Sequence, residues 1–335
     1  MKRQFWFRVL TVVAVSGLGL LAILSLMMKQ ERLVVERKGV RIQAPPLYLE
    51  EPGFEVTGQR YVFDEVLGWR NIPNWTAKTF GRELRISSRG LRDGEYDYER
   101  QPGVPRVLVL GDSYTWGYGV GNDEIFTEVM EQKLNSGGTK CEVINTGVSG
   151  WGTDQEYLFF REEGHKYRPD IVVLAFFLNN DPVNNVASVQ YGLGKPVFPT
   201  TDLSRFDPPR RRPGVRESFL EPRQPLEITT AIIRGLQEEC AKIDARLVFM
   251  KFGAFGREDV TPMLQFSKQL TERLAETMPD LRTLDLDEVF RARGLKPEQI
   301  MDADRDLHWN ARGHRIVAEA LQEYLQSDLR RNSKV

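Results

Sequence analysis

With 335 residues, 41% of them hydrophobic and 28% charged, the chain has the composition of an ordinary globular protein with room for one large domain and appendages. A net charge of -1 supplies no basic field, which argues against nucleic acid as the main partner. Cys141 and Cys240 stand far apart with no metal-type spacing, so two buried free thiols are expected, and His165, His308 and His314 are the only imidazoles available.

Residues 9–28 run for twenty positions without a charge, enough to cross the hydrocarbon core of a bilayer as a helix. No A-x-A-like cleavage site follows before Lys29, so an uncleaved anchor is preferred to a removed signal. Basic residues flank the run on both sides. The orientation chosen places residues 1–28 as a short cytoplasmic tail and anchor, with the body on the extracytoplasmic side of a bacterial inner membrane. Residues 29–104 read as a charged stem followed by a small extension. Trp69 and Trp75 are expected there as core or interface side chains.

From 105 to 327 strand and helix patterns alternate, which implies βαβ units and a parallel sheet. Strands are expected at 106–110, 141–145, 170–177, 246–251 and 282–286. Helices are expected at 123–134 with Asp123 as N-cap, at 153–167 capped by Thr153 or Asp154, and at 226–243, 261–277 and 311–326. Residues 182–225 break the rhythm with eight prolines and Arg210-Arg211-Arg212, a run read as a solvated face. Residues 328–335 form a tail.

Three sheet-end loops carry Ser113, Gly150 and Asn180, and a fourth loop before the last helix carries Asp306 and His308. Open α/β sheets bind ligands beyond the carboxyl ends of their strands, so these loops fall where chemistry is expected. Acyl transfer by serine needs a hydroxyl, an imidazole base, a carboxylate that orients the base, and donors aimed at an oxyanion. Asp306 and His308, two apart in an extended turn, put a carboxylate within reach of the near ring nitrogen. His314, six residues on, reads as structural, and His165 as an exposed helix-end residue. Gly147 reads as a turn requirement, and Trp116 and Trp151 as walls of an acyl pocket.

Four blocks in order, GDSYTWG (111–117), INTGVSGWGTDQ (144–155), FFLNND (176–181) and DLHWNARGH (306–314), resemble those of the SGNH/GDSL hydrolases. The resemblance covers roughly residues 104–325. It implies a three-layer α/β/α sandwich around a central, mostly parallel, flavodoxin-like sheet. It also implies Ser113 as nucleophile, His308 as base, and an oxyanion hole of Ser113, Gly150 and Asn180. The family's usual Asp-x-x-His spacing would place the acid at Arg305, so Asp306 is chosen, with Asp304 as the fallback and a Ser–His dyad also open. The Asp-x-His form looks like that of alginate O-acetyltransferase relatives. Together with the anchor it points to a membrane-bound esterase acting on O-acyl, chiefly O-acetyl, groups of a carbohydrate, with no metal or organic cofactor. The alternatives are an O-acetyltransferase acting on an exported polysaccharide and a non-catalytic carbohydrate-binding or assembly protein.

Overall fold

The computed structural model describes residues 33–37, 40–44, 55–56, 59–138, 140–211, 225–302 and 307–332. The chain divides into two compact units, Met1–Leu49 and Glu50–Val335. In the first, strands β1 (Leu33–Arg37) and β2 (Val40–Ala44) pair as an antiparallel hairpin. The apolar run 9–28 lies outside the described residues. Among the described residues no helix is long and apolar enough to cross a membrane.

The second unit opens with antiparallel pieces: β3 (Glu55–Val56), β4 (Gln59–Asp64) and β5 (Gly68–Asn71) form one small sheet, and β6 (Thr76–Thr79) and β7 (Arg82–Arg85) a hairpin. This segment belongs to the main core, because Tyr61, Leu67, Trp69 and Leu91 are all buried in the cluster that also holds the central strands. Trp75 is half-buried.

The alternating region follows in chain order: β8 (Arg106–Gly111), α1 (Ser113–Trp116), α2 (Phe126–Ser136), β9 (Glu142–Asn145), α3 (Thr153–Glu162), β10 (Ile171–Phe177) and α4 (Asp181–Asn184). After them come a two-stranded hairpin, β11 (Val189–Gln190) and β12 (Leu193–Gly194), then α5 (Pro225–Ala241), β13 (Arg246–Phe252), α6 (Thr261–Thr277) and β14 (Arg282–Asp285). The chain ends with α7 (Leu286–Ala292), α8 (Pro297–Ile300), a second short hairpin, β15 (Met301–Asp302) with β16 (His308–Trp309), and α9 (Ala311–Asn332).

Five strands form one sheet in the order β14-β13-β10-β8-β9, every pairing parallel. All of β8 and β10 is buried, as continuous apolar runs in a sheet covered on both faces should be. Alternate residues feed two separate cores. Leu108, Leu110, Val172, Leu174 and Phe176 join α3, α5 and α6 in one, whereas Val107, Val109, Val173, Ala175 and Phe177 join α2 and α9 in the other. That is the three-layer arrangement. The chain leaves β8 toward β9 on one side and returns through β10 on the other, so the order reverses between β8 and β10, which is where α/β sheets open a ligand crevice.

The start of α2 and the end of α3 differ from the sequence reading. Asp123 belongs to a 3₁₀ turn (Asn122–Glu124), and α2 begins at Phe126 behind Ile125, which offers no side-chain cap. The next helix starts behind Gly152 and stops at Glu162, with residues 164–167 in a separate 3₁₀ turn. Helix α3 begins at Thr153 as expected, the Gly152 amide donating to Gln155 Oε1 at 3.2 Å, and only its end falls short. Residues 182–211 of the proline-rich insertion contain α4, β11 and β12, while 212–224, including Arg212, lie outside the described residues. Arg210 and Arg211 are exposed, and Arg211 lies over the Phe63 ring. Cys141 and Cys240 are buried free thiols.

His314 is wholly buried on α9, its Nδ1 accepting from the Phe126 amide at 3.3 Å, and burial pulls its pKa down to about 3. A histidine whose folded pKa lies below its unfolded value contributes stability that is complete above about pH 6.5 and is lost as pH falls toward the folded value. Thermal unfolding between pH 7.5 and pH 4 should therefore show a steeper loss for the native protein than for His314→Leu. Parallel curves would rule this out.

Candidate active site

The site begins where β8 ends. Gly111 has no room for a side chain, since a Cβ there would lie 2.1 Å from Thr115 Oγ1 and 3.2 Å from the Ala175 Cβ. Asp112 then caps α1, its Oδ1 accepting from the Tyr114 amide at 2.9 Å, and Gly117 closes the single turn in the left-handed region at φ 86°. Ser113 stands at the first position of that turn, half-buried, facing the crevice edge.

His308 arrives from the β15–β16 hairpin, 195 residues away in sequence, and its Nε2 lies 2.8 Å from Ser113 Oγ. Its ring is held by aromatic packing: Tyr114 stacks on it at 4.4 Å with a 20° interplanar angle, and Tyr118 lies at 4.7 Å. The Tyr114 hydroxyl donates to the carbonyl of Leu307, tying the hairpin to the residue beside the serine. Asp306 and Asp304, the two candidate carboxylates for the far ring nitrogen, lie outside the described residues.

Asn180 follows β10 and Gly150 follows β9, both at the same sheet edge. The Asn180 Nδ2 donates to Asp112 Oδ2 at 2.9 Å, which leaves its second amide hydrogen for another acceptor. The adjacent Asn179 is exposed. Gly150 sits at φ 81°, where an added Cβ would come 2.7 Å from the Tyr191 ring and 3.5 Å from Trp69. Trp69 secures the same loop by donating from Nε1 to the Ser149 carbonyl at 3.1 Å. The backbone N–H groups of Ser113 and Gly150 donate to no other described residue. Two unpaired backbone donors, an oriented amide, a hydroxyl and an imidazole thus share one edge of the sheet.

Other expectations need correction. Trp116 and Trp151 are each 1% exposed and bonded to the N-terminal segment, Trp116 to Asn71 Oδ1 and Trp151 to the Trp69 carbonyl, so they are core side chains and not pocket walls. Gly147 serves close approach: its Cβ would meet the Trp116 nitrogen at 2.5 Å. His165 is half-buried with Nδ1 3.1 Å from the Phe160 carbonyl.

The sequence reading missed the acids beneath the site. Asp112 is wholly buried, and burial pushes its carboxyl up to about 6 while the bonds from Tyr114 and Asn180 pull against that rise. Its position inside the Gly-Asp-Ser block was the available signal. Asp181 accepts from the Phe177 amide at 2.7 Å and anchors the start of the Asn180 loop.

The GDSL-like lipase/acylhydrolase family profile matches residues 109–316, more than half the chain, and the chain belongs to that family. Similar solved structures include the lipase/acylhydrolase from Enterococcus faecalis (16% identity, 67% of this chain and 97% of that one, TM-score 0.46). A family 3 carbohydrate esterase from Clostridium thermocellum aligns at 14% identity over 69% of this chain and 99% of that one, TM-score 0.46. A catalytic variant of an acetylxylan esterase from Geobacillus stearothermophilus aligns at 20% identity over 66% and 94%, TM-score 0.44. No curated protein matches the sequence.

Gly150→Ala forces a side chain into a left-handed backbone and against the Tyr191 ring. It should lower the melting temperature by several degrees, the shift expected for about 1–2 kcal/mol, and Tyr191→Ala in the same chain should recover part of it. An unchanged melting temperature for Gly150→Ala would contradict the packing described.

Proposed function

We propose that this GDSL-like acylhydrolase is a serine esterase whose nucleophile is Ser113. The observation that carries the reading is the 2.8 Å approach of His308 Nε2 to Ser113 Oγ beside open amide donors. Ser113 Oγ attacks the acyl carbonyl as His308 takes its proton. The oxyanion is held by the Ser113 and Gly150 amides and the free Nδ2 hydrogen of Asn180. Collapse expels the alcohol, which receives the proton from His308. A water deprotonated by His308 then releases the acid from the acyl-serine. Asp306 is assigned as the carboxylate that orients His308, on the strength of the Asp-x-His spacing.

The acyl group is assigned as short, acetyl above all, on the resemblance of the Asp-x-His block to alginate O-acetyltransferase relatives. An acylated carbohydrate is the proposed alcohol partner. The uncharged run 9–28 supports a single-pass anchor, and the body is assigned to the extracytoplasmic side of a bacterial inner membrane.

Hydrolysis of p-nitrophenyl acetate by the full chain tests this. Ser113→Ala should lose on the order of 10⁴-fold or more in kcat. Asn180→Ala should lose about 10²–10³-fold. Equal rates for native protein and Ser113→Ala would remove the serine from the chemistry. With a labelled acetyl donor and an oligosaccharide, label in acetate supports hydrolysis, and label on the sugar would reassign the protein as an O-acetyltransferase.

A further inference from the structure

Four carboxyl groups lie completely buried behind the site: Asp112 at the end of β8, Asp154 and Glu156 on α3, and Asp181 at the start of α4. Three buried cations are available among the described residues, and two are engaged elsewhere. Arg92 donates to the carbonyls of Trp116, Gly117 and Val120, and Arg106 pairs with Glu142. Lys195 faces the cluster, pairs with Asp154 and donates to the Asn184 carbonyl. Asp112 has the Tyr114 amide and Asn180 Nδ2 as donors.

Glu156 has none of this help. Both of its carboxyl oxygens are buried without a hydrogen-bond partner, as is Oδ1 of Asp181, and so is the acceptor oxygen Oδ1 of Asn180. A buried carboxylate without donors bears its full desolvation cost; Asp112 and Asp154 are near charges for both acids, Asp181 is a third for Glu156, and only Lys195 opposes them. Among the described residues no three carboxyl, imidazole or thiol groups converge as metal ligands would.

We propose that Glu156 and Asp181 are uncharged carboxylic acids at neutral pH and act as positioning residues for the Asp112–Asn180 pair. Burial drives both acids well above their ordinary range, consistent with this assignment. Asp181 holds the Phe177 amide and so the turn that presents Asn180, while Asp112 spends one oxygen on the Asn180 amide. A second negative charge appearing beside Asp112 on ionisation of Glu156 or Asp181 repels that carboxylate and loosens Asn180. Activity therefore falls on the alkaline side through the oxyanion donor, although Asn180 itself does not titrate. The catalytic half of this inference rests on the oxyanion role given to Asn180 above; the protonation half does not.

Two readouts on the full chain separate the halves. The first is stability. An acid with a raised folded pKa costs nothing below its unfolded value and costs progressively more as pH rises through the interval up to the folded value. The difference in melting temperature between Glu156→Gln and the native protein should therefore grow in favour of the variant from about pH 4.5 upward. A constant difference, or one that turns against the variant as pH rises, overturns the neutral assignment. The second is the pH profile of kcat for p-nitrophenyl acetate, corrected by Ser113→Ala. The alkaline limb should move up by at least one pH unit in Glu156→Gln, and Gln should be more active than Glu156→Ala throughout. A limb that stays in place with the stability trend intact leaves two protonated acids that do not position Asn180, and the positioning role is then overturned. If Ser113→Ala is fully active, the esterase reading fails, and the stability series still decides the protonation.

Discussion

The carboxylate of Asp112 is the tie on which this site depends. It is wholly buried, sits between two strands that lie side by side, and divides its oxygens between the Tyr114 amide and the Asn180 amide. The first bond starts the turn that presents Ser113; the second fixes the side chain at the end of the neighbouring strand. One group thus sets the distance between Ser113 and the side-chain amide of Asn180. The cost is desolvation, visible in its raised pKa, and the bonds from Tyr114 and Asn180 offset part of it. Such a group is retained for geometry more readily than for stability.

Around that tie the fold is a matter of two hydrophobic faces. Strand residues alternate between cores built by different helices, and the register of β8 against β10 places Gly111 beside Ala175 at the crevice edge. A one-residue slip would exchange the two faces. The N-terminal extension stiffens the edge from outside: Trp69 holds the Gly150 loop, and buried Arg92 donates to the last carbonyl of α1 and to two of the loop that follows it. That loop carries Tyr118, which packs against His308. Residues far from the family blocks therefore hold His308 and the Gly150 loop in place.

Much of this was legible beforehand because it is local. The apolar runs of β8 and β10 announce a doubly covered sheet, and the four blocks name Ser113, Gly150, Asn180 and His308 by their neighbours in sequence. Where the reading slipped, the deciding partner was remote. Asp123 has the right side chain for a helix cap, yet the burial of Ile125 and Phe126 starts α2 three residues later. Trp116 and Trp151 stand next to the motifs and invite a role as pocket walls. Their indole N–H groups instead found acceptors at Asn71 and Trp69 and were drawn into the core.

By itself, the sequence determined the alternation of strands and helices, the order of the loops at one sheet edge and the chemistry those loops can carry, since periodicity and motif spacing are properties of neighbouring residues. Only the tertiary structure decided which amide Asp112 holds, how the ring of His308 is stacked, and that Glu156 is buried with no donor for either oxygen. A carboxyl group's charge depends on water and on partners brought from elsewhere in the chain. Packing supplies both, and no local pattern records them.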